Sequence, residues 1–299
     1  MIPPVIALKV DVDTYVGTRD GVPRLLDILD QYGIKATFYF SMGPDNSGKA
    51  IRRIFTRKGF LKKMLRTKAP STYGLKTMLY GTLLPAPHIS QSLAGVMREV
   101  ARKGHEVGIH AWDHVDWHDN LPNMSLEMVS TIAGRARGAF REVFGEEAKT
   151  TAAPGWMLSS SSLEVQDGMV LLYSSDARGR CPFFPMVDGR RFETLQVPTT
   201  LPTLDELLGS EGLTEANVND FYLSRIGPGL NVHTIHAELE GARLAGAFSD
   251  LLRRAIHSGA RFLTLAEAAE EALKDNPPTC NVAMEEIPGR AGLVAVQQA

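Results

Sequence analysis

Two imidazoles stand four residues apart in Gly108-Ile-His-Ala-Trp-Asp-His114, directly after a short apolar run from Glu106 to Ile109 that predicts a strand. If the chain leaves that strand through one helical turn, His110 and His114 fall on one face and both rings can grip a single metal ion. Near the start, Val5-Ile-Ala-Leu-Lys-Val-Asp11-Val-Asp13-Thr14 predicts a strand ending in two carboxylates at i and i+2. Strand side chains two apart point the same way. A His-x-x-x-His pair among eight histidines fits a chance or core pairing about equally well. Carboxylates at a second strand end change that balance, because the four groups together can hold a divalent cation and leave one carboxylate over as a base.

Three further stretches offer polar groups at strand ends. Thr150-Thr-Ala-Ala-Pro154-Gly155-Trp156 runs a strand into a Pro-Gly turn, which either aims a backbone N–H near Gly155 at an oxyanion or simply ends the strand. Tyr173-Ser-Ser-Asp176-Ala-Arg178-Gly179 delivers an acid and a fixed cation, a pair that by default is a surface ion pair. Val232-His233-Thr-Ile-His236-Ala-Glu238 is a strand with two histidines an odd number of residues apart, so only one can face a site. His236, nearer the C-terminal end where barrel chemistry gathers, is that one, and His233 is a core histidine. His88, His105, His118 and His257 read as structural or solvated, Trp112 and Trp117 as pocket walls, and Cys181 as an inert thiol.

The elements that must position these groups alternate. Strands are predicted at Lys35 to Ser41, Glu106 to His110, Lys149 to Ala153, Val170 to Ser174, Leu195 to Val197, Leu230 to His236 and Arg261 to Leu265. Helices are predicted from Gly21 to Tyr32 with Asp20 as cap, from Ser90 to Lys103, from Ser125 to Phe144 and from Leu244 to Ser258. Alternation of this kind builds a parallel sheet or barrel from βα units. With 299 residues, 44% hydrophobic, the chain is long enough for one large α/β domain spanning 1–299, with a C-terminal tail at about 275–299. A formal net charge of −2 argues against bulk nucleic-acid binding. Two cysteines, and a start that runs straight into a strand, point to a cytoplasmic setting without export.

One insertion, at about 44–98, departs from the rest. Between Asn46 and Arg98 there is no carboxylate, yet 11 of the chain's 32 basic residues lie there, interleaved with Ile51, Ile54, Phe55, Phe60, Leu61, Met64 and Leu65. A plain helical hairpin packed on the barrel would produce the apolar stripe. The acid-free basic run favours an anionic lipid surface or a phosphate-bearing ligand, chiefly through residues about 49–76. No stacking aromatics accompany it as they would for nucleic acid.

Taken together these residues resemble the polysaccharide deacetylase (NodB-like) superfamily. Its members share an aspartate pair on the first strand, a His-x-x-x-His pair after the third, a Pro-containing turn, an acid-bearing strand end and a late histidine. The resemblance implies a distorted (β/α)7 barrel. It is closest to the branch of deformylases acting on 4-deoxy-4-formamido-L-arabinose phosphoundecaprenol in lipid A modification and polymyxin resistance, through Asp11-Val-Asp13-Thr, Gly43-Pro-Asp-Asn46, Gly108-Ile-His-Ala-Trp-Asp-His114, Ser175-Asp-Ala-Arg-Gly179, Val197-Pro-Thr-Thr-Leu-Pro-Thr203, Thr234-Ile-His-Ala-Glu238 and Ile287-Pro-Gly-Arg-Ala-Gly292. What it implies is a metal held by Asp13, His110 and His114, with Zn2+ the best match and Co2+ or Mn2+ as alternatives. Asp11 is then the base, although the two aspartates could exchange roles, and His236 is an acid oriented by Asp176. Family members often carry an arginine two residues before the turn proline; Ala152 stands there, and Arg178 is expected to supply that charge. The implied partners are an undecaprenyl-phosphate-linked amino sugar and the inner face of the cytoplasmic membrane. The competing readings are an N-deacetylase of another glycan or small amide, and a non-catalytic protein that binds a lipid-linked sugar.

Overall fold

The structure, a computed structural model, describes residues 3–52, 76–210 and 212–298. Its strands are β1 (Pro4–Val12), β2 (Thr37–Ser41), β3 (Glu106–Ala111), β4 (Thr150–Thr151), β5 (Tyr173–Ser174), β6 (Phe184–Val187), β7 (Arg190–Arg191), β8 (Gly229–His236), β9 (Arg261–Leu263), β10 (Thr279–Glu286) and β11 (Leu293–Gln297). The main sheet is parallel throughout, in the order β5-β4-β3-β2-β1-β8, with β9 also on β1. Strand β1 is the hub: Pro4–Asp11 pair with β8, Lys9–Val12 with β2 and Val5–Ala7 with β9.

The circle is completed without a regular strand. The extended stretch 195–201 bonds to β5 through Ser174 N to Leu195 O and Val197 N to Ser174 O. It reaches β8 through Thr200 N and Leu201 N, both donating to Val232 O. The expected strand at Leu195 to Val197 is therefore an irregular stave, and the whole is a half-open parallel barrel with helices outside.

Alternation along β1 sorts the two layers. Leu8, Val10 and Val12 face outward into a buried cluster with Leu25, Leu26 and Leu29 of the helix Val22–Tyr32, and with Phe140 and Phe248 of later helices. Ala7 faces the lumen with Tyr39, Ala152, Tyr173, Leu195, Val197 and Val232. Burial on both faces is what a parallel sheet under helices demands, and it accounts for near-continuous apolar strands. Lys9 and Asp11 share the inward parity of Ala7.

Helix ends follow local chemistry. Ser125 caps Leu126–Phe144 by accepting from Met128 N, and Gly145 closes it at φ 78°. The expected Asp20 cap does not form: Gly21 takes the N-cap position, and Asp20 pairs with Arg19 instead.

The expected tail is ordered. Strands β10 and β11 form a hairpin that joins β6 and β7 in a second, four-stranded sheet. Of the basic insertion, residues 53–75 lie outside the described residues. Its flanks are tied to the barrel: Asn46 Nδ2 donates to Asp113, and Ile89, Leu93, Met97 and Val100 of the helix Ile89–Arg102 are buried on the outer layer. No helix among the described residues is long and apolar enough to cross a membrane.

Candidate metal and acid–base site

At the C-terminal ends of β1, β3 and β8 the chain gathers carboxylates and imidazoles into one place. Asp13 lies one residue past β1, and His110 is still on β3. His114 is the first residue of the helix His114–Asn120, which Asp113 caps by accepting from Val115 N and Asp116 N. The two histidines are thus joined across a strand end and a helix start, not by one helical turn as the spacing suggested. They still converge: His110 Nε2 is 3.1 Å from Asp13 Oδ1 and His114 Nε2 is 3.4 Å from Asp13 Oδ2. The three donor atoms lie within 4.8 Å of one another.

This set fits a divalent cation. His110 Nδ1 is 2.8 Å from the Ala152 carbonyl; a carbonyl only accepts, so Nδ1 carries the hydrogen and Nε2 turns a lone pair toward Asp13. Lone pairs facing a carboxylate at 3.1 Å repel unless a positive charge lies between them. Asp13 Oδ1 is buried and has no hydrogen-bond partner among the described residues. Burial pushes the Asp13 carboxyl up, but positive charge at the facing His114 and His110 would outweigh it and hold Asp13 well below the usual carboxylate range, and with these nitrogens as lone-pair donors that charge is left for a cation to supply. Imidazole and carboxylate donors suit zinc, cobalt and manganese.

Asp11 pairs in register with His236 across β1 and β8, so both point into the lumen at the same level. Burial works against a charged His236. The carboxylates Asp13, Asp205, Asp11 and Glu240 around it prevail, and its ring is held above the ordinary imidazole value. His233 is on the other face, against the Tyr222 ring at 4.6 Å, and burial lowers it to about 3. The parity argument from sequence chose between the two as the structure places them.

Two expectations do not hold. Asp176 does not orient His236: its Oδ2 accepts from Gln166 at 2.7 Å and Gln196 at 3.2 Å, its Oδ1 has no partner among the described residues, and its backbone N–H donates to Gln196 Oε1. The residue lies beyond the end of β5, where strand alternation no longer sets direction. Arg178 does not stand against Asp11 either. Its guanidinium is engaged by Glu206 at 2.8 Å and by the Leu201 carbonyl, over the Trp156 ring. The cation beside Asp11 is Lys9, with Nζ 3.6 Å from Oδ2. Lys9 could have been found, since it shares the inward parity of Asp11.

Gly155 sits in the turn Pro154–Trp156 at φ 61°, ψ 21°. A Cβ there would lie 2.6 Å from the His118 ring, so the glycine lets this buried histidine pack beside His114, whose ring centre is 6.1 Å away. His118 is therefore part of the site wall.

Sequence reasoning gave no role to Glu238 and Glu240, both buried. Glu238 Oε1 accepts from Asp13 N at 3.1 Å, Thr14 N at 2.8 Å and Thr14 Oγ1 at 2.7 Å, clamping the backbone that presents Asp13. Gly17 is where a Cβ would collide with that carboxylate. Glu240 Oε2 accepts from His236 N at 2.9 Å. Burial pushes Glu238 up to about 8, with Asp13 adding to it, and Glu240 up to about 7.

A family model described as polysaccharide deacetylase matches residues 2–169. Over 293 residues, 98% of this chain and 94% of the relative, the chain is 37% identical to a protein of Shewanella sediminis named a probable 4-deoxy-4-formamido-L-arabinose-phosphoundecaprenol deformylase, ArnD. A protein of Wigglesworthia glossinidia brevipalpis with the same name is 34% identical, covering 95% of this chain and 99% of its own. Among solved structures, a polysaccharide deacetylase crystal structure from Mycobacterium smegmatis superposes with a TM-score of 0.66 at 16% identity, covering 96% of this chain and 99% of that one. A family 4 acetyl xylan esterase from Clostridium thermocellum, solved with a cobalt ion, gives 0.53 at 17% identity, covering 91% and 93%. These two likenesses are of fold.

Proposed function

The chain belongs to the polysaccharide deacetylase family of amide hydrolases, and we propose that it removes the formyl group from undecaprenyl-phosphate-linked 4-deoxy-4-formamido-L-arabinose, releasing formate and the free 4-amino sugar. The observation that carries this reading is the convergence of Asp13, His110 and His114 beside a second carboxylate, Asp11, and a buried histidine, His236. A pure binding site has no use for that additional acid–base pair. The names borne by the two relatives supply the substrate.

Asp13, His110 and His114 hold a divalent metal, Zn2+ by donor type with Co2+ or Mn2+ as alternatives. When bound, such an ion polarises an amide carbonyl and makes water more acidic. Asp11, beside the metal ligands, takes the proton of the attacking water. A backbone N–H of the turn at Gly155 faces the oxyanion. His236, whose ring the surrounding carboxylates hold above the ordinary imidazole value against burial, protonates the departing amine. Glu238 keeps Asp13 in place by holding its backbone. Asp176 and Arg178 build the wall behind these groups and do not share in proton transfer.

The acid-free basic stretch at about 49–76 supports docking on an anionic leaflet at the inner face of the cytoplasmic membrane, where the lipid phosphate is presented. The 4-amino sugar made there carries a positive charge. Its transfer to lipid A lowers the negative potential that attracts polymyxin.

The test is formate release from a synthetic polyprenyl phosphoryl formamido-arabinose by metal-loaded protein, with an N-acetylated glycan and a chelator as controls. Chelator-sensitive formate from the lipid-linked sugar alone is the expected result. Acetate from the glycan would move the substrate to a deacetylase, and no release from either would favour a binding protein. Reversing Arg52, Arg53, Lys62 and Lys63 to Glu should reduce pelleting with anionic liposomes; unchanged pelleting would remove the membrane from the reading.

A further inference from the structure

Lys9 is fully buried inside the barrel, where an ammonium group persists only with partners of its own. Nζ donates to the Ser175 carbonyl at 2.9 Å, which anchors it to the end of β5. The rings of Trp156 and Tyr39 flank it, 5.5 and 5.7 Å from Nζ. Among the described residues, the one carboxylate within ion-pair distance is Asp11, with Oδ2 at 3.6 Å. The other cation nearby, Arg178, is occupied by Glu206 and the Leu201 carbonyl. Burial pushes the amine below its ordinary value, and the nearby carboxylates Asp11 and Asp176 offset part of that shift.

A lysine in the lumen of a barrel is costly to keep for stability alone, because an apolar residue of similar volume would satisfy the packing. Its location points elsewhere. Lys9, Asp11 and Asp13 follow one another at two-residue spacing along and just beyond β1. The strand thus sets out a cation, a base and a ligand in a row.

We propose that Lys9 is the positioning residue for Asp11: its ammonium, fixed by the Ser175 carbonyl, lies against Asp11 Oδ2 and holds the carboxylate in one orientation to receive the proton of the attacking water. This rests on Asp11 being the base. Held at one oxygen, the carboxylate cannot swing toward the metal ligands and compete with Asp13, and it keeps one orientation from turnover to turnover. A misplacement of about 1 Å in such a group is enough to cost roughly a hundredfold in rate.

The experiment uses the full chain, the lipid-linked formamido sugar, and metal content read by elemental analysis. In Lys9→Met, kcat is expected to fall by about a hundredfold while KM changes by less than about threefold and metal content stays at the wild-type level. Lys9→Arg should recover to within about tenfold of wild type, since a guanidinium restores the charge with altered geometry. In Lys9→Ala, added propylammonium should restore rate saturably, and propan-1-ol, similar in size but neutral, should not. A packing role would respond to both alike, so equal rescue overturns the proposal, as does wild-type kcat in Lys9→Met. If Lys9→Met does not fold, the other two variants decide; no recovery in either Lys9→Arg or ammonium-treated Lys9→Ala overturns it. Asp11→Asn is the separate arm. Wild-type turnover there overturns the base reading itself, whereas an inactive Asp11→Asn beside an unimpaired Lys9→Met overturns only the role of Lys9.

Discussion

The mouth and the floor of this barrel are both lined with polar side chains, and they treat them in opposite ways. On the floor, Tyr39 Oη meets Thr150 Oγ1 and Tyr173 Oη, both at 2.9 Å, Tyr173 Oη donates to Glu106 Oε1 at 2.9 Å, and Glu106 Oε2 accepts from Thr37 Oγ1 and Ala266 N. Each of these side chains finds its partner within the fold. At the mouth, Asp11 Oδ1, Asp13 Oδ1, His236 Nδ1, Glu238 Oε2 and Glu240 Oε1 are buried and have no hydrogen-bond partner among the described residues. Buried polar atoms are normally satisfied, and each exception asks for a ligand or a catalytic purpose. Both regions hold buried acids; what separates them is whether the fold itself completes the bonding of the carboxylates, the floor's exception among the described residues being an imidazole nitrogen, His105 Nε2.

If that contrast is right, removing a group at the mouth costs function and removing one at the floor costs stability. The largest effect is expected in His114→Ala, which should lose bound metal, by elemental analysis, and formate release by about a thousandfold or more. Asp11→Asn and His236→Ala should keep the metal and lose about 10²–10⁴ in turnover. Intact metal in His114→Ala would remove that residue from the ligand set. Next comes Glu238→Ala, which frees the backbone behind Asp13. Metal affinity by competition titration should weaken about 10–100-fold, as for other groups that orient a ligand. An unchanged affinity would make Glu238 part of the packing.

The floor supplies the smaller effects. His105 Nδ1 accepts from Ala36 N at 3.2 Å, a bond that protonation would break, and burial lowers its pKa to about 4 from an ordinary value of 6.5. The unfolded chain therefore takes up the proton first. The stability contributed by the neutral ring is fully present above about pH 6.5, declines as pH falls toward about 4 and then levels off, a total on the order of 2–3 kcal/mol. Denaturant midpoints across that range should fall more steeply for the wild type than for His105→Gln; parallel curves would show that the ring does not titrate with unfolding. Tyr173→Phe should lose about 1–2 kcal/mol in urea unfolding by leaving Glu106 short of a donor, with kcat unchanged. A turnover defect as deep as that of Asp11→Asn would break the distinction between mouth and floor.

Period-two alternation made a good part of this legible. It put Asp11 on the lumen side and chose His236 over His233, because on a regular strand the face of a side chain is fixed by parity alone. The same rule covered Lys9, to which sequence reasoning assigned no role. Where regular structure stops, the rule stops with it. Asp176 and Arg178 lie past the two-residue strand β5, Glu238 and Glu240 lie past β8, and the stave at 195–201 is not a regular strand. The second sheet was missed because its strands pair across nearly a hundred residues, β6 with β10, and residues 275–299 carried no alternation strong enough to announce it.

By itself, then, the sequence determined the parallel βα architecture, the inward row on β1, and the residue types that can hold a metal and move a proton. These are set by local periodicity and side-chain chemistry. Only the tertiary structure decided that Arg178 pairs with Glu206 and not Asp11, that His110 and His114 meet across a strand end and a helix start, and that Glu238 supports Asp13. Those choices depend on how chain segments more than two hundred residues apart, such as Asp13 and Glu238, are brought to one end of a barrel. No local pattern encodes that distance.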